Sequence, residues 1–475
     1  MREDLKKMPN NLQAEDKDDT NFVRSATFER GHLFMPGYNV LMVAKIKGEF
    51  TETELRSAIE KIGRRHPLLR VHIEFDDDHR VWFTSQNTPN IPLKIYPRTS
   101  ENAWREACFE ENKISFQLDI GPLLRVIWVR DTTVSELILL GQHAICDGTS
   151  LVYLMRDLLT YLGDPKTHVE VLDRLPTIDK AFDLENIKLN FILRRIIAKI
   201  TKLWNDNEII FTLEDFKPLE VVFDEGGYNI ITRELQPKET KELIQKSREH
   251  NVTVNSVLYS ALLSAQLEIE GREKKYLQNI LLPINLRPYA EPPIGEVVGF
   301  YAGGEAFSHN VTLKKDFWRR TRDLHNTLQK HTSMDAMLGN AKRLFSLPPS
   351  WIEARSMLFL GNKLPQPNKK YDQLLELVGT ISFLRRITSI SSSEEFQIGL
   401  ALTNLGKMEI PKQFGNLEVE SIFFIPPMNL LAEKVVGILT VGETLRIAIS
   451  YLEKYLESGI AQSIITRALE IIKEN

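Results

Sequence analysis

Cysteine is scarce: the 475-residue chain has only Cys108 and Cys146. That excludes a disulfide framework and a Cys-rich zinc site, and reduced cytosol is the simplest setting. No run reaches the ~18 uninterrupted apolar residues of a membrane span, so no transmembrane helix is expected. Charge of one sign is missing too. Lys+Arg number 60 against 64 Asp+Glu, a formal net charge of −4, which gives no reason to expect nucleic acid. No clustered His/Cys/Asp/Glu ligand set appears, so no metal is implied. The Gly-rich stretch 295–304 contains no Gly-x-Gly-x-x-Gly, which removes the dinucleotide fingerprint. Residues 1–20 are rich in Lys, Asp, Glu and Asn and lack the apolar core of a secretory signal, so they are expected to fray. The sequon Asn251-Val252-Thr253 carries no weight without secretion.

What is present is the composition of a soluble globular protein, 43% hydrophobic and 26% charged. The length exceeds one ordinary core, so two domains are expected.

The chain is organised around Leu137 to Gly148. The apolar strand Leu137–Leu140 feeds a short turn holding His143 and Asp147, and Gly148 follows. Leu151, Leu154, Leu158 and Leu162 then repeat at helical spacing. An imidazole thus stands at the buried end of a strand, with a carboxylate in the turn behind it. A His with its ordinary pKa near ~6.5 can act as a general base at neutral pH once its tautomer is fixed and water is excluded. The bare spacing also suits a core His beside a helix-capping Asp.

His143-Ala144-Ile145-Cys146-Asp147-Gly148 after an apolar strand resembles the His-x-x-x-Asp-Gly signature of the chloramphenicol-acetyltransferase-like superfamily. That group includes condensation domains of nonribosomal peptide synthetases, plant-type acyltransferases, alcohol acetyltransferases and polyketide-associated acyltransferases. Many members carry two His before the x-x-x-Asp. Here the first is Gln142, as plant-type members also dispense with it, and this argues mildly against an ordinary peptide-forming condensation domain. A second match is Arg65-His66-Pro67-Leu68-Leu69-Arg70, following a helix opened by the capping box Thr51-x-x-Glu54. His66 reads as structural, a polar tip at a helix-to-strand corner satisfying backbone groups. A third is Asn285-Leu286-Arg287-Pro288, ending the strand Tyr276–Ile284 and similar to alcohol-acetyltransferase-like and polyketide-associated members. The resemblance implies a salt bridge from Arg287 to Asp147. A buried carboxylate needs such a partner, and a guanidinium can supply two parallel hydrogen bonds.

The remaining segments are read more coarsely. Phe22–Met35 is expected to be a loop and Val40–Ile46 a strand. Residues 164–225 form a connection with some helix. Ile187–Trp204 is a basic amphipathic stretch expected to cover a groove in preference to lying on a membrane. Phe317–Gln329 is a helix, and residues 332–375 are loop-rich. The strand Phe396–Leu402 ends in Thr403-Asn404-Leu405-Gly406, where Thr403 or Asn404 either lines a tunnel and donates to an oxyanion or forms a plain turn. The expected division is 1–20 flexible, 21–175 an N-terminal subdomain, 176–225 a connector and 226–475 a C-terminal subdomain.

The resemblance implies an α/β (α+β) fold of two chloramphenicol-acetyltransferase-like subdomains, each a mixed sheet covered by helices, with an active-site channel between them. It implies an acyltransferase with His143 as general base and Asp147 as the structural residue orienting the motif. Gly148 serves as turn and oxyanion N–H, and Arg287 supports. Cys146 beside His143 reads as a small buried hydrophobe, not a nucleophile. No cofactor is bound permanently. The donor is acyl-CoA or a phosphopantetheine-linked acyl group, the acceptor a small or lipid-like alcohol or amine, and an acyl carrier protein is an alternative partner. A non-catalytic binding module that keeps the fold is the reading from another class.

Overall fold

The computed structural model describes residues 23–172, 175–207, 209–271, 273–380 and 397–475. The expected flexible N-terminus, 1–20, and Phe396 lie outside the described residues.

Among the described residues, two six-stranded mixed sheets carry the fold. The first runs in the order Gln413–Phe414, Leu417–Ile425, Asn39–Lys47, Val134–Gln142, Leu124–Arg130 and Leu93–Pro97. Its only parallel pair is the outermost, Leu93–Pro97 with Leu124–Arg130. The second runs Ala302–Ser308, Asn279–Asn285, Leu400–Met408, Lys434–Val441, Thr444–Leu452 and Tyr228–Leu235. Its parallel pairs flank Leu400–Met408 on both sides. A three-stranded sheet of Val23–Ser25, Val81–Thr84 and His72–Phe75 sits beside the first.

The strand Val134–Gln142 lies inside its sheet, and this explains its sequence. A strand covered on both faces reads as a continuous apolar run. Leu137 and Leu139 enter one buried cluster, while Ile138 and Leu140 enter another on the opposite face. The helix Glu52–Arg65 starts at the Thr51/Glu54 capping box and buries Leu55, Ala58, Ile59 and Ile62, as their spacing requires. The helix Gly148–Gly163 buries Leu151, Leu154, Leu158 and Leu162.

The halves are not cleanly separated at residue 226. The strand Leu417–Ile425, from the second half, pairs antiparallel along Asn39–Lys47 of the first sheet. One apolar cluster accordingly gathers residues from Ala26 to Leu452. Elsewhere local structure is richer than the sequence reading. The stretch 22–35 holds the strand Val23–Ser25 and the short helix Arg30–Leu33. Residues 332–375 are mostly helical: Met334–Phe345, Trp351–Leu360 and Lys369–Gly379. Pro348, Pro349, Pro365 and Pro367 separate these helices and give the stretch its loop-like composition. Asn404 does not end a strand. Leu400–Met408 runs through it with a bulge between Asn404 and Lys407.

Candidate active site

The ladder that pairs Asn39 with Gln142 puts the next residues, Tyr38 and His143, side by side. The His143 N–H donates to the Tyr38 carbonyl at 3.3 Å. The chain then turns, and the His143 ring folds back so that Nδ1 lies 2.9 Å from the Cys146 carbonyl oxygen. A carbonyl only accepts, so Nδ1 carries the proton and Nε2 holds the lone pair. No hydrogen-bond partner faces Nε2 among the described residues. The ring is half-buried. Burial pulls its pKa below the usual histidine value, against opposing contributions from the Cys146 carbonyl and the Asp147 charge. Burial thus favours the neutral ring, with its acceptor nitrogen unengaged.

Three aromatic rings enclose it. Centroids of His32, Tyr38 and Phe300 lie 5.1, 5.1 and 5.2 Å from the His143 ring, Phe300 meeting it edge-on. His32 also stacks on Tyr38 at 5.2 Å and packs on Phe300 at 4.3 Å. Burial first, and the neighbouring His143 second, hold His32 well below the ordinary histidine value. Burial raises the Tyr38 phenol to about 12. Gln142, which stands where relatives carry another His, has a structural task. Its Nε2 donates to the His32 carbonyl at 2.8 Å and its Oε1 accepts from the Ala144 N–H.

Asp147 turns away from this ring cluster and caps the helix Gly148–Gly163. Oδ1 accepts from the Ser150 N–H at 2.8 Å and from Ser150 Oγ at 3.0 Å. Oδ2 accepts from Arg287 Nη1 and, at 3.0 Å, from the Tyr301 N–H. Burial alone would raise this carboxyl, but the Arg287 guanidinium and the two backbone donors bring it below the usual carboxylate range. The pair expected from the resemblance is thus present and buried, with a different geometry. Arg287 gives one nitrogen to Asp147. Its Nη2 reaches Ser150 Oγ at 2.8 Å and the carbonyls of Val297 and Gly299 at 3.2 Å each. A two-bond fork on one carboxylate is ruled out because Oδ1 is already taken by the helix cap.

Gly148 is needed for close approach and not for an unusual turn. A Cβ there would lie 2.8 Å from Leu405 Cδ2 and 2.9 Å from Phe424 Cε2. As the first helical residue it has an N–H without an intrahelical partner. Asn404 Oδ1 accepts from the Gly406 N–H at 2.8 Å, shaping the bulge, and Thr403 faces Gly437 across the ladder. Cys146 is fully buried against Gly141, and burial pushes its thiol well above the ordinary range, as an inert side chain requires. His66 finds a carboxylate where backbone groups were expected. Its Nε2 lies 3.0 Å from Asp157 Oδ2 on the helix Gly148–Gly163.

The ring cluster escaped the sequence reading because its members come from segments without local motifs. Tyr38 had one signal, its place one residue before a strand that pairs with the His strand, and Phe300 another, its place in the Gly-rich stretch 295–304.

The fold is similar to that of solved condensation domains and of a solved O-acetyltransferase. Residues 28–164 match the condensation domain family, and residues 229–338 match the phthiocerol/phthiodiolone dimycocerosyl transferase C-terminus family. Among curated proteins the chain is similar to bacitracin synthase 3 of Bacillus licheniformis, 22% identical over 50% of this chain and 4% of the relative. It is also similar to cyclosporin synthetase of Tolypocladium inflatum, 21% identical over 61% of this chain and 2% of the relative. The chain spans only a few per cent of the length of these relatives. Among solved structures it resembles polyketide synthase associated protein 5 from Mycobacterium tuberculosis, at 14% identity, 95% and 98% coverage and a TM-score of 0.59. It resembles TRI3 trichothecene 15-O-acetyltransferase from Fusarium sporotrichioides at 10% identity, 95% coverage of each chain and a TM-score of 0.62. The first condensation domain of the calcium-dependent antibiotic synthetase aligns at 12% identity, 95% and 96% coverage and a TM-score of 0.62.

Proposed function

We propose that this protein transfers an acyl group directly from a thioester donor, acyl-CoA, to a hydroxyl or amine acceptor, with His143 as general base. The single observation carrying the reading is the tautomer of His143: Nδ1–H is held by the Cys146 carbonyl, and Nε2 is left as an unengaged base. The acceptor's proton passes to Nε2 as its oxygen or nitrogen bonds to the thioester carbonyl carbon. The oxyanion of the tetrahedral adduct is met by the Gly148 N–H at the helix start, with the Asn404 amide and Thr403 as further donors. The C–S bond then breaks, and the leaving thiolate takes the proton back from His143. Asp147 and Arg287 hold the turn and touch no reacting atom. Donor and acceptor enter from opposite sides along the interface of the halves, and the setting is cytoplasmic.

The condensation-domain match over 28–164 favours one second reading, in which the acyl group arrives on a carrier protein's phosphopantetheine arm and an ester or amide forms. One experiment separates the two. The protein is incubated with a panel of acyl-CoAs and, in parallel, acyl-phosphopantetheinyl carrier protein, each with alcohols and amines, and released thiol and acylated product are measured. Acceptor-dependent thiol release from CoA supports the first reading, and turnover only from the carrier supports the second. Release to water alone, or none from either donor, overturns both.

A further inference from the structure

The helix Phe191–Asn207 has two unlike faces. The inner one does what the sequence suggested and covers the fold. Ile200 and Trp204 are buried, Trp204 Nε1 donates to Ser350 Oγ at 2.9 Å, and its ring meets Trp351 edge-on at 5.1 Å. The helix that starts at Trp351 carries Glu353, which takes the guanidinium of Arg30 from the short helix bearing His32. The covering helix is therefore packed on the same layers that hold the candidate site.

Its outer face has no task in acyl transfer. Phe191 and Ile192 are 60% and 70% exposed at one end. Arg194, Arg195, Lys199 and Lys202 are exposed along the next turns, and exposed Lys188 precedes them. No acidic residue occurs between Glu185 and Asp206. Among the described residues none of these five cations forms an ion pair, whereas carboxylates elsewhere on the surface capture many of the other cations. The Arg195 guanidinium stands 4.8 Å over the Phe191 ring, joining charge and apolar surface in one unit.

We propose that this outer face docks the protein onto an anionic lipid surface. Unpaired cations spread along a helix of about 25 Å match a plane of diffuse negative charge. An exposed aromatic and an exposed aliphatic side chain at one end supply a wedge that enters the interfacial zone while the cations stay among headgroups. An acidic protein partner fits less well, because the apolar atoms form a protruding tip instead of a seat lined by cations. Since the inner apolar face is already buried, docking requires no refolding of the helix. It would bring the candidate site alongside membrane-borne acyl groups or acceptors.

The test is vesicle co-sedimentation of the full chain. Phosphatidylcholine vesicles are compared with vesicles that also contain phosphatidylserine, at low and high salt. We expect binding only to the anionic vesicles, reversed by salt. Each removed cation should weaken it by about fivefold, so the variant Arg194→Ala/Arg195→Ala/Lys199→Ala/Lys202→Ala should stay in the supernatant. The variant Phe191→Ser/Ile192→Ser should bind more weakly at every salt concentration. All substituted side chains are exposed, and unchanged circular dichroism and melting would verify the fold. Equal sedimentation with and without phosphatidylserine, or undiminished binding by the four-charge variant, would overturn the proposal. So would no vesicle binding together with salt-sensitive binding to an acidic carrier protein, which would assign the face to a protein partner. Turnover of a soluble acyl-CoA by these variants measures the acyl-transfer reading separately, and neither result depends on the other.

Discussion

In the proposed reaction His143 has to lack a second proton. Burial makes the charged ring unfavourable, while the Cys146 carbonyl fixes the single proton of the neutral ring on Nδ1. His143→Ala should abolish transfer and leave the melting temperature within a few degrees, because the ring is half-buried and makes one hydrogen bond; a mutant with full turnover would refute the role. The pH dependence follows in sign. The base works when unprotonated, and its folded-state pKa is depressed, so the acid limb of kcat/KM should fall below the ordinary histidine value of ~6.5. Burial, and the neighbouring His143 after it, hold His32 well below the ordinary histidine value. The limb should show the slope of one proton, and a two-proton slope would place His32 among the titrating groups. His143, Asp147 and Arg287 were legible in the sequence because each sits in a contiguous motif. His32 and Phe300 were not, since only the packing of distant segments puts their rings against His143.

At the scale of elements, the helix Gly148–Gly163 sets the geometry of the site, and it is held at both ends by the second half of the chain. At its start, Asp147 and Ser150 share Arg287, and Ser150 also bonds the Gly299 peptide. Replacing Arg287 with Ala would leave a buried carboxylate without its counter-charge, an expected loss of about 3–5 kcal/mol. Chemical denaturation should detect that loss, while turnover per folded molecule changes far less than in His143→Ala. The stabilisation from Asp147 is present above the unfolded carboxylate pKa of ~3.9 and is lost as pH falls through the depressed folded value. At its end, a Cβ on Gly163 would lie 2.4 Å from the Phe414 carbonyl oxygen and 2.5 Å from its carbon. Backbone cannot step aside as a side-chain tip can. Gly163→Ala should therefore destabilise by about 1–3 kcal/mol, despite the better helix propensity of Ala; a stabilised Gly163→Ala protein would contradict this packing. The amphipathic spacing of this helix was readable. The reason for its terminal glycines was not, because Leu405, Phe424 and Phe414 lie some 250 residues away in sequence.

For the whole molecule, the decisive feature is the strand that the second half lends to the first sheet. Sequence order suggests a subdomain ending near residue 175 and another beginning near 226. Alternating strands and helices reveal that layering, yet no local pattern tells which sheet a given strand joins. Leu417–Ile425 joins the first sheet and buries Leu417, Ile422, Phe424 and Ile425. Without it, Asn39–Lys47 would present an open edge of unpaired N–H and C=O groups, flanked by uncovered Leu and Val side chains. The two sheets should thus unfold as one cooperative unit, and the chain should not divide at its apparent boundary. Residues 1–225 expressed alone should be insoluble or lack a cooperative melting transition. Co-expression with 226–475 should restore a soluble complex, since the second fragment returns the missing strand, the Phe414 contact of Gly163 and the Arg287 partner of Asp147. A fragment 1–225 that melts cooperatively by itself, at a temperature near that of the intact chain, would mean that the donated strand is an ornament on an independent domain and that the candidate site does not depend on both halves.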